Sequence, residues 1–287
     1  MTLDAVTELP LEAELARFGT PERAAAAAFF AEHPPGAGAP IAVVIPAFNE
    51  EPTVATVLKE IPAELAGLAA EAIVVVDGSE DATAAKAADA GALVCDVKTH
   101  VGQGIVLRLG YLLARARGAR FIATIDADGQ YIPAELEQLV EPLVCGESDF
   151  VNGSRRLGTE LTTDPVRHAG VIFFGGLVSL LARQRITDPA CGIRAFRAEV
   201  TSTVTLTQEQ YQTSELLIGT AMAGFRVTEV PTTMRDRPPG ATGTKKGPNL
   251  LYGVRFARAV LGTWRRERKV NIDRRAGRRR LRSPKIQ

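Results

Sequence analysis

A chain of 287 residues with 46% hydrophobic side chains has material for a substantial core, as one α/β domain with extensions or as two domains. Its net charge of +1 is unevenly spread: residues 265–287 hold eleven basic and two acidic side chains, a net +9, which leaves −8 on the remainder. An acidic body with a basic tail points to a polyanionic surface as partner, and three scattered cysteines without a CxxC pair argue against a disulfide framework or zinc site and for a reducing compartment.

The N-terminus, MTLDAVTELP, carries acids and lacks a basic region followed by an apolar core, so it does not read as a signal peptide. Residues 1–33 read as helix, with LEAELARF and then PERAAAAAFFAEH, whose proline suits a helix start. PPGAGAP (34–40) is a linker. IAVVIPAF (41–48) is a continuous apolar strand, and NEEPTVATVLKEIPAEL has helical spacing with acids in its first turn. The alternation continues. AIVVVD (72–77), ALVCDV (92–97), FIATID (121–126) and DFVNGS (149–154) read as strands. Between them GSEDATAAKAADAG, GQGIVLRLGYLLARARG and PAELEQLVEPLVCG read as helices.

Apolar strands alternating with helices predict an α/β fold, a mainly parallel sheet covered on both faces. Ligands of such sheets bind at the carboxyl ends of the strands, which would put Asn49, Asp77, Asp126 and Ser154 on one rim. After Arg155 the regularity weakens. AGVIFFGGLVSLLA (169–182) falls short of the ~18 apolar residues of a membrane span and reads as a buried core helix or one lying on a membrane surface. RPPGATGTKKGPN (237–249) reads as a mobile lid or anion-binding loop. The division expected is a helical extension and linker over 1–37, the main domain over 38–248, an amphipathic helix over 249–270 and a basic disordered tail over 271–287.

Two carboxylates in DxD spacing, Asp126 and Asp128, have one economical use. Their hard oxygens suit Mg²⁺ or Mn²⁺, and Gln130 can complete the site. A cation holding a diphosphate would neutralise the leaving group as a bond to a sugar breaks. The plainer alternative is that both acids cap the helix starting near Pro133. Asp77 can accept from a base or a ribose hydroxyl, or cap the turn after it, and Asn49, Glu50 and Glu51 also suit a cap. The GQG of HVGQG resembles a phosphate turn without the full GxGxxG spacing, and Arg108 points to phosphate or packs its stem on the sheet. His100 and His168 stand alone, with surface or packing roles expected, although His168 adjoins Arg167.

In combination, IPAFNEE, VVVDGSEDAT, HVGQGIVLRLGY, IDADGQY, VNGSR, TDPACGIRAF and GTK resemble the family-2 inverting glycosyltransferases of the GT-A fold, specifically the dolichol-phosphate mannosyltransferase-like group. The resemblance runs from about Ile41 to Lys246. It implies that Pro46, Phe48 and Glu50 contact the nucleoside and Asp77 the base, with Arg108 and Ala127 also on the nucleotide sugar. Asp126 would lie by the ribose and diphosphate, with Asp128 and Gln130, on the metal. Arg155 and Arg167 would hold an acceptor phosphate, and Arg235, Arg237, Thr244 and Lys245 would close over the pyrophosphate. Asp188 would orient the acceptor, or serve as base if the acceptor is a hydroxyl.

The implied activity is metal-dependent, inverting transfer of a hexose, mannose or glucose, from a GDP or UDP sugar to a polyprenyl or dolichyl phosphate. The chain would work in the cytoplasm, peripherally at the membrane face, through its basic C-terminus. Two other readings stay open at this point. One is the same enzyme class acting on a soluble hydroxyl acceptor. The other is a non-catalytic nucleotide- or nucleic-acid-binding protein, against which the scarcity of aromatic residues in the tail counts. Nucleic acid is therefore not expected as a partner, and residues 1–33 pack on the domain or on a second subunit of a homo-oligomer.

Overall fold

The computed structural model describes residues 9–160, 165–238 and 249–282, with the backbone alone described over 165–171, 249–253 and 271–282. The N-terminal segment forms α1 (Leu11–Leu15) and α2 (Thr20–Glu32), the latter opened by Pro21. Arg115 pairs with Glu14, so this extension packs on the main domain. Strands and helices then alternate as the apolar runs predict: β1 (Ile41–Ala47), α3 (Val54–Glu60), β2 (Glu64–Leu65), β3 (Leu68–Asp77), α4 (Thr83–Asp89), β4 (Leu93–Val97), α5 (Gln103–Arg117) and β5 (Phe121–Thr124). The second half contains α6 (Leu136–Val144), β6 (Phe150–Glu160), α7 (Pro165–Ala182), β7 (Arg194–Arg197), α8 (Glu199–Thr203), α9 (Gln212–Ala223), β8 (Val227–Met234) and α10 (Asn249–Arg282).

Among the described residues eight strands form one sheet, in the order β4-β3-β1-β5-β7-β6-β8, with β2 antiparallel to the start of β3. β7 runs antiparallel to both β5 and β6, whereas β6 and β8 are parallel. The sequence pattern misses β7 and β8 for physical reasons. β7 has only four residues, and β8 is an edge strand that alternates exposure and accommodates Pro231.

Successive side chains of a strand face opposite ways, and the sheet thereby separates two cores. Ala42, Val44, Ile73 and Val75 join residues of α2, α5 and α9 on one face, while Ile41, Val43, Ile45, Val74 and Val76 join α3 and α6 on the other. Full burial of each such valine or isoleucine contributes ~1.5–3 kcal/mol. α5 lies especially close to the sheet, because a Cβ on Gly110 would come within 2.4 Å of Val44 Cγ1.

The carboxyl ends of the parallel strands share one edge. Phe48 follows β1, Asp77 ends β3, His100 lies just beyond β4, Asp126 just beyond β5, and Arg235 follows β8. Since β7 runs the opposite way, its beginning reaches this edge, and the 185–193 loop comes with it.

α7 is not the wholly buried core helix that was one of the two descriptions expected of it. It buries Val178 and Ala182 but exposes Ile172, Phe173 and Leu180. α10 packs through Phe256, Ala259 and Val260, with the Phe256 ring 4.5 Å from that of Phe174. The Arg266 guanidinium donates to buried Glu215 of α9 at 2.7 Å. Beyond Val270, over most of the segment expected to be a disordered tail, α10 continues to Arg282. Arginine is a good helix former, and no proline interrupts the segment before Pro284.

Candidate active site

The turn after β5 brings the two aspartates to the edge. Gly129 makes the turn at φ +72°, a conformation that side chains disfavour. Asp126 lies against Gly192, where a Cβ would sit 2.2 Å from its Oδ2. Gln103 Nε2, at the start of α5, donates to Asp126 Oδ1 at 3.3 Å. Asp128 is mostly buried. Its Oδ1 accepts from Gln130 N and its Oδ2 from Arg237 Nε, both at 3.1 Å. Gln130 Nε2 donates to the Arg235 carbonyl at 3.2 Å, and Arg235 N donates back to the Gln130 carbonyl at 2.7 Å. The DxDxQ turn therefore holds the segment leaving β8. Ala127, between the acids, is buried.

Glu50 enters the same electrostatic field. Burial, together with the charges of Asp128 and Asp126, outweighs a hydrogen bond from Thr53 and pushes its carboxyl up to about 7. Negative charge is thus in excess here, and Arg237 offsets part of it. Among the described residues no three His, Cys, Asp or Glu side chains form a set able to hold a metal ion alone. Two carboxylates completed by the oxygens of a phosphate ligand are a donor set that Mg²⁺ or Mn²⁺ accepts, so the residues fit such an ion.

The opposite side of the edge is built from two interlocked loops. Asn49 takes φ +53°; its N–H donates to Ser79 Oγ and its Oδ1 accepts from Glu80 N. Glu50 N donates to Thr83 Oγ1, and Glu51 Oε2 accepts from Ala82 N. These side chains fasten loop to loop. Pro46 pairs in register with Val75 inside the sheet. Asp77 is buried, and its carboxylate accepts from Val101 N at 2.7 Å and Gly102 N at 3.1 Å, with His100 Nδ1 3.1 Å from Oδ2. Phe48 and His100 lie ring on ring, centroids 4.4 Å apart.

Other sequence-predicted residues have protein partners. Arg108 donates to the Leu206 carbonyl at 2.8 Å, which places its guanidinium against the 204–209 segment. The GQG glycine Gly104 has the same neighbour: its N–H donates to the Glu209 carbonyl, and a Cβ would meet Gln208 O at 2.2 Å. Arg155 and Asp188 are locked together, with Arg155 Nε and Nη2 donating to the two carboxylate oxygens at 2.6 and 2.7 Å. Both are buried. Burial works against the Arg155 charge, yet its bonds to Asp188 prevail and raise its pKa. The two residues that the resemblance assigns to the acceptor side are thus each other's partners in this structure. Arg167 lies on α7 with its side chain outside the described residues, as do Thr244 and Lys245 entirely.

Several contributors escaped sequence reasoning. Gln103 reaches Asp126, Tyr131 Oη accepts from Gly192 N at 2.9 Å, and Glu229 accepts from Thr187 N and Asp188 N. No local signal marks them, since each partner is distant in the chain.

Residues 42–205 match the model of glycosyl transferase family 2. The chain belongs to that family. Its relatives include a dolichyl-phosphate hexose transferase of Haloferax volcanii, 32% identical over 217 residues, which cover 74% of this chain and 92% of that protein. The uncharacterized protein MJ1222 of Methanocaldococcus jannaschii is 34% identical, over 67% of this chain and 79% of that one. Among solved structures, glucosyl-3-phosphoglycerate synthase from Mycobacterium tuberculosis in complex with Mn²⁺, uridine diphosphate and phosphoglyceric acid has a TM-score of 0.60. It is 24% identical and the match covers 86% of this chain and 83% of that one. The glycosyltransferase is thus of the GT-A fold. No described helix of this family-2 member is long and apolar enough to cross a membrane.

Proposed function

We propose that the enzyme transfers a hexose, with inversion, from a nucleoside diphosphate sugar to an acceptor phosphate, a polyprenyl phosphate in the first instance. The observation that carries the choice of acceptor is the burial of Asp188 against Arg155. A hydroxyl acceptor needs a base, and the carboxylate named for that work is enclosed. A phosphate oxyanion is already nucleophilic, so catalysis becomes placement in line with the anomeric carbon plus charge neutralisation. The name of the Haloferax relative supports the same class of acceptor.

In this reading Asp126 and Asp128, with Gln130, hold the divalent cation, whose chemistry when bound is Lewis-acid neutralisation of the leaving diphosphate. Pro46, Phe48, Glu50, Asp77 and Ala127 frame the nucleoside side. Arg235 and Arg237, with Arg167, Thr244 and Lys245, meet the phosphates. Arg155 and Asp188 become positioning residues that fix the 185–193 loop. Exposed Ile172, Phe173, Leu180 and Val254, beside the arginine-rich α10, support peripheral attachment to an anionic membrane face.

The test incubates purified protein with labelled UDP and GDP sugars, Mn²⁺ or Mg²⁺ and a short polyprenyl phosphate. A lipid-linked product is expected, and Asp128→Ala should lose it while keeping its circular dichroism. Transfer only to a soluble acceptor would overturn the lipid assignment.

A further inference from the structure

On the basis of the nucleotide-sugar reading above, we infer that His100 reads the nucleobase, accepting through Nε2 the ring N–H of uracil or guanine while Phe48 backs its ring. The resemblance gives base recognition to Asp77, but that carboxylate is already used. It is buried, and it accepts from Val101 N at 2.7 Å and from Gly102 N at 3.1 and 3.2 Å. The hydrogen-bonding capacity next to it that remains open belongs to His100, whose side chain is 59% exposed.

The geometry defines the tautomer. His100 Nδ1 lies 3.1 Å from Asp77 Oδ2 and 3.3 Å from the Asp77 carbonyl oxygen. Both neighbours are acceptors, so Nδ1 carries the proton, and in the neutral ring Nε2 is an acceptor. Among the described residues nothing hydrogen-bonds to Nε2. Uracil N3 and guanine N1 bear a hydrogen that such an acceptor takes, whereas cytosine N3 and adenine N1 are themselves acceptors and leave it opposed.

The ring is also held in place. The His100 backbone rests on Gly78, where a Cβ would come within 2.3 Å of His100 N. Its face lies against Phe48, with centroids 4.4 Å apart and planes inclined by 41°. Phe48 is itself 38% exposed. Two partly exposed rings at the carboxyl ends of β1 and β4 form an aromatic surface, and a flat base stacks on such a surface without regard to its identity. Stacking then supplies affinity and Nε2 supplies choice.

The experiment measures dissociation constants of UDP, GDP, CDP and ADP by calorimetry with Mn²⁺ present. The wild type should prefer UDP or GDP over CDP and ADP. His100→Asn retains a donor towards Asp77 and removes the outward nitrogen. It should keep the melting temperature, weaken the preferred nucleotide about tenfold and erase the preference. His100→Gln, which reaches further and carries its own acceptor, should restore part of the preference, and Phe48→Leu should weaken all four nucleotides alike. Wild-type affinity and unchanged preference in His100→Asn and His100→Gln would overturn the assignment to His100 alone. Failure of the wild type to bind any nucleoside diphosphate would instead overturn the nucleotide-sugar reading on which it rests.

Discussion

Glu50 is a carboxyl that folding makes harder to ionise. A group whose folded pKa, about 7 here, lies above its ordinary 4.5 binds its proton more tightly in the native state. The destabilisation it brings is absent below pH 4.5, grows as pH rises and is complete once pH passes about 7. In metal-free protein Glu50→Gln should therefore gain melting temperature relative to wild type between pH 5 and 8. The gain should reach about 2–4 °C, since solvent screens a half-buried group. Calorimetric scans across that range check it, and a difference that is flat with pH would contradict it. The Arg237–Asp128 pair makes a second residue-scale prediction. A cation bound by Asp128 competes with the guanidinium, so Arg237→Gln should bind Mn²⁺ about two- to fivefold more tightly in the absence of nucleotide. The same variant should bind nucleoside diphosphate more weakly. Electron paramagnetic titration of free Mn²⁺ measures the first effect. The DxDxQ motif itself is legible in the chain, but its ion-pair partner, 109 residues away, is not.

At the scale of elements, the buried Arg155–Asp188 pair joins β6 to the loop entering β7. Ser154 and Thr187 strengthen that seam, their hydroxyl oxygens 2.6 Å apart. Removing one member leaves a buried charge without its partner, which costs about 3–5 kcal/mol. Asp188→Asn should lose stability on that order in urea titrations. Arg155→Met combined with Asp188→Leu should recover much of it, because paired apolar replacements remove both desolvation penalties together. Stability close to wild type in the single variant would show that the pair carries no structural load. The sequence pattern stops being readable at this seam. A four-residue strand reversed between two others has too few positions to display a period, and its place in the sheet depends on β5 and β6 offering paired edges.

For the whole molecule, the division of charge between an acidic body and a basic end becomes a matter of placement. α10 is anchored by apolar contacts and by Arg266 on Glu215, and it packs on α7, the helix that exposes Phe173 and Leu180. Deletion of 271–287 should weaken binding to anionic vesicles more than tenfold at low salt, at ~1 kcal/mol per basic residue, with the difference shrinking as salt rises. Phe173→Ser with Leu180→Ser should weaken binding at every salt concentration. Nucleotide affinity should be unchanged in both, as measured on the same preparations.

Alternating apolar strands and amphipathic helices, the turn residues between them and the acids at strand ends were all present in the chain by itself, because backbone propensity and side-chain period act over a few residues. The α/β class and the rim at the strand ends follow from that short-range information. The tertiary structure alone decided which polar groups remain open. Asp77, Arg108, Arg155 and Asp188 look equally available in the sequence, yet each is occupied by a partner 24 to 98 positions away. A buried polar group must be satisfied by whatever the fold brings to it, and that depends on the packing of the entire sheet.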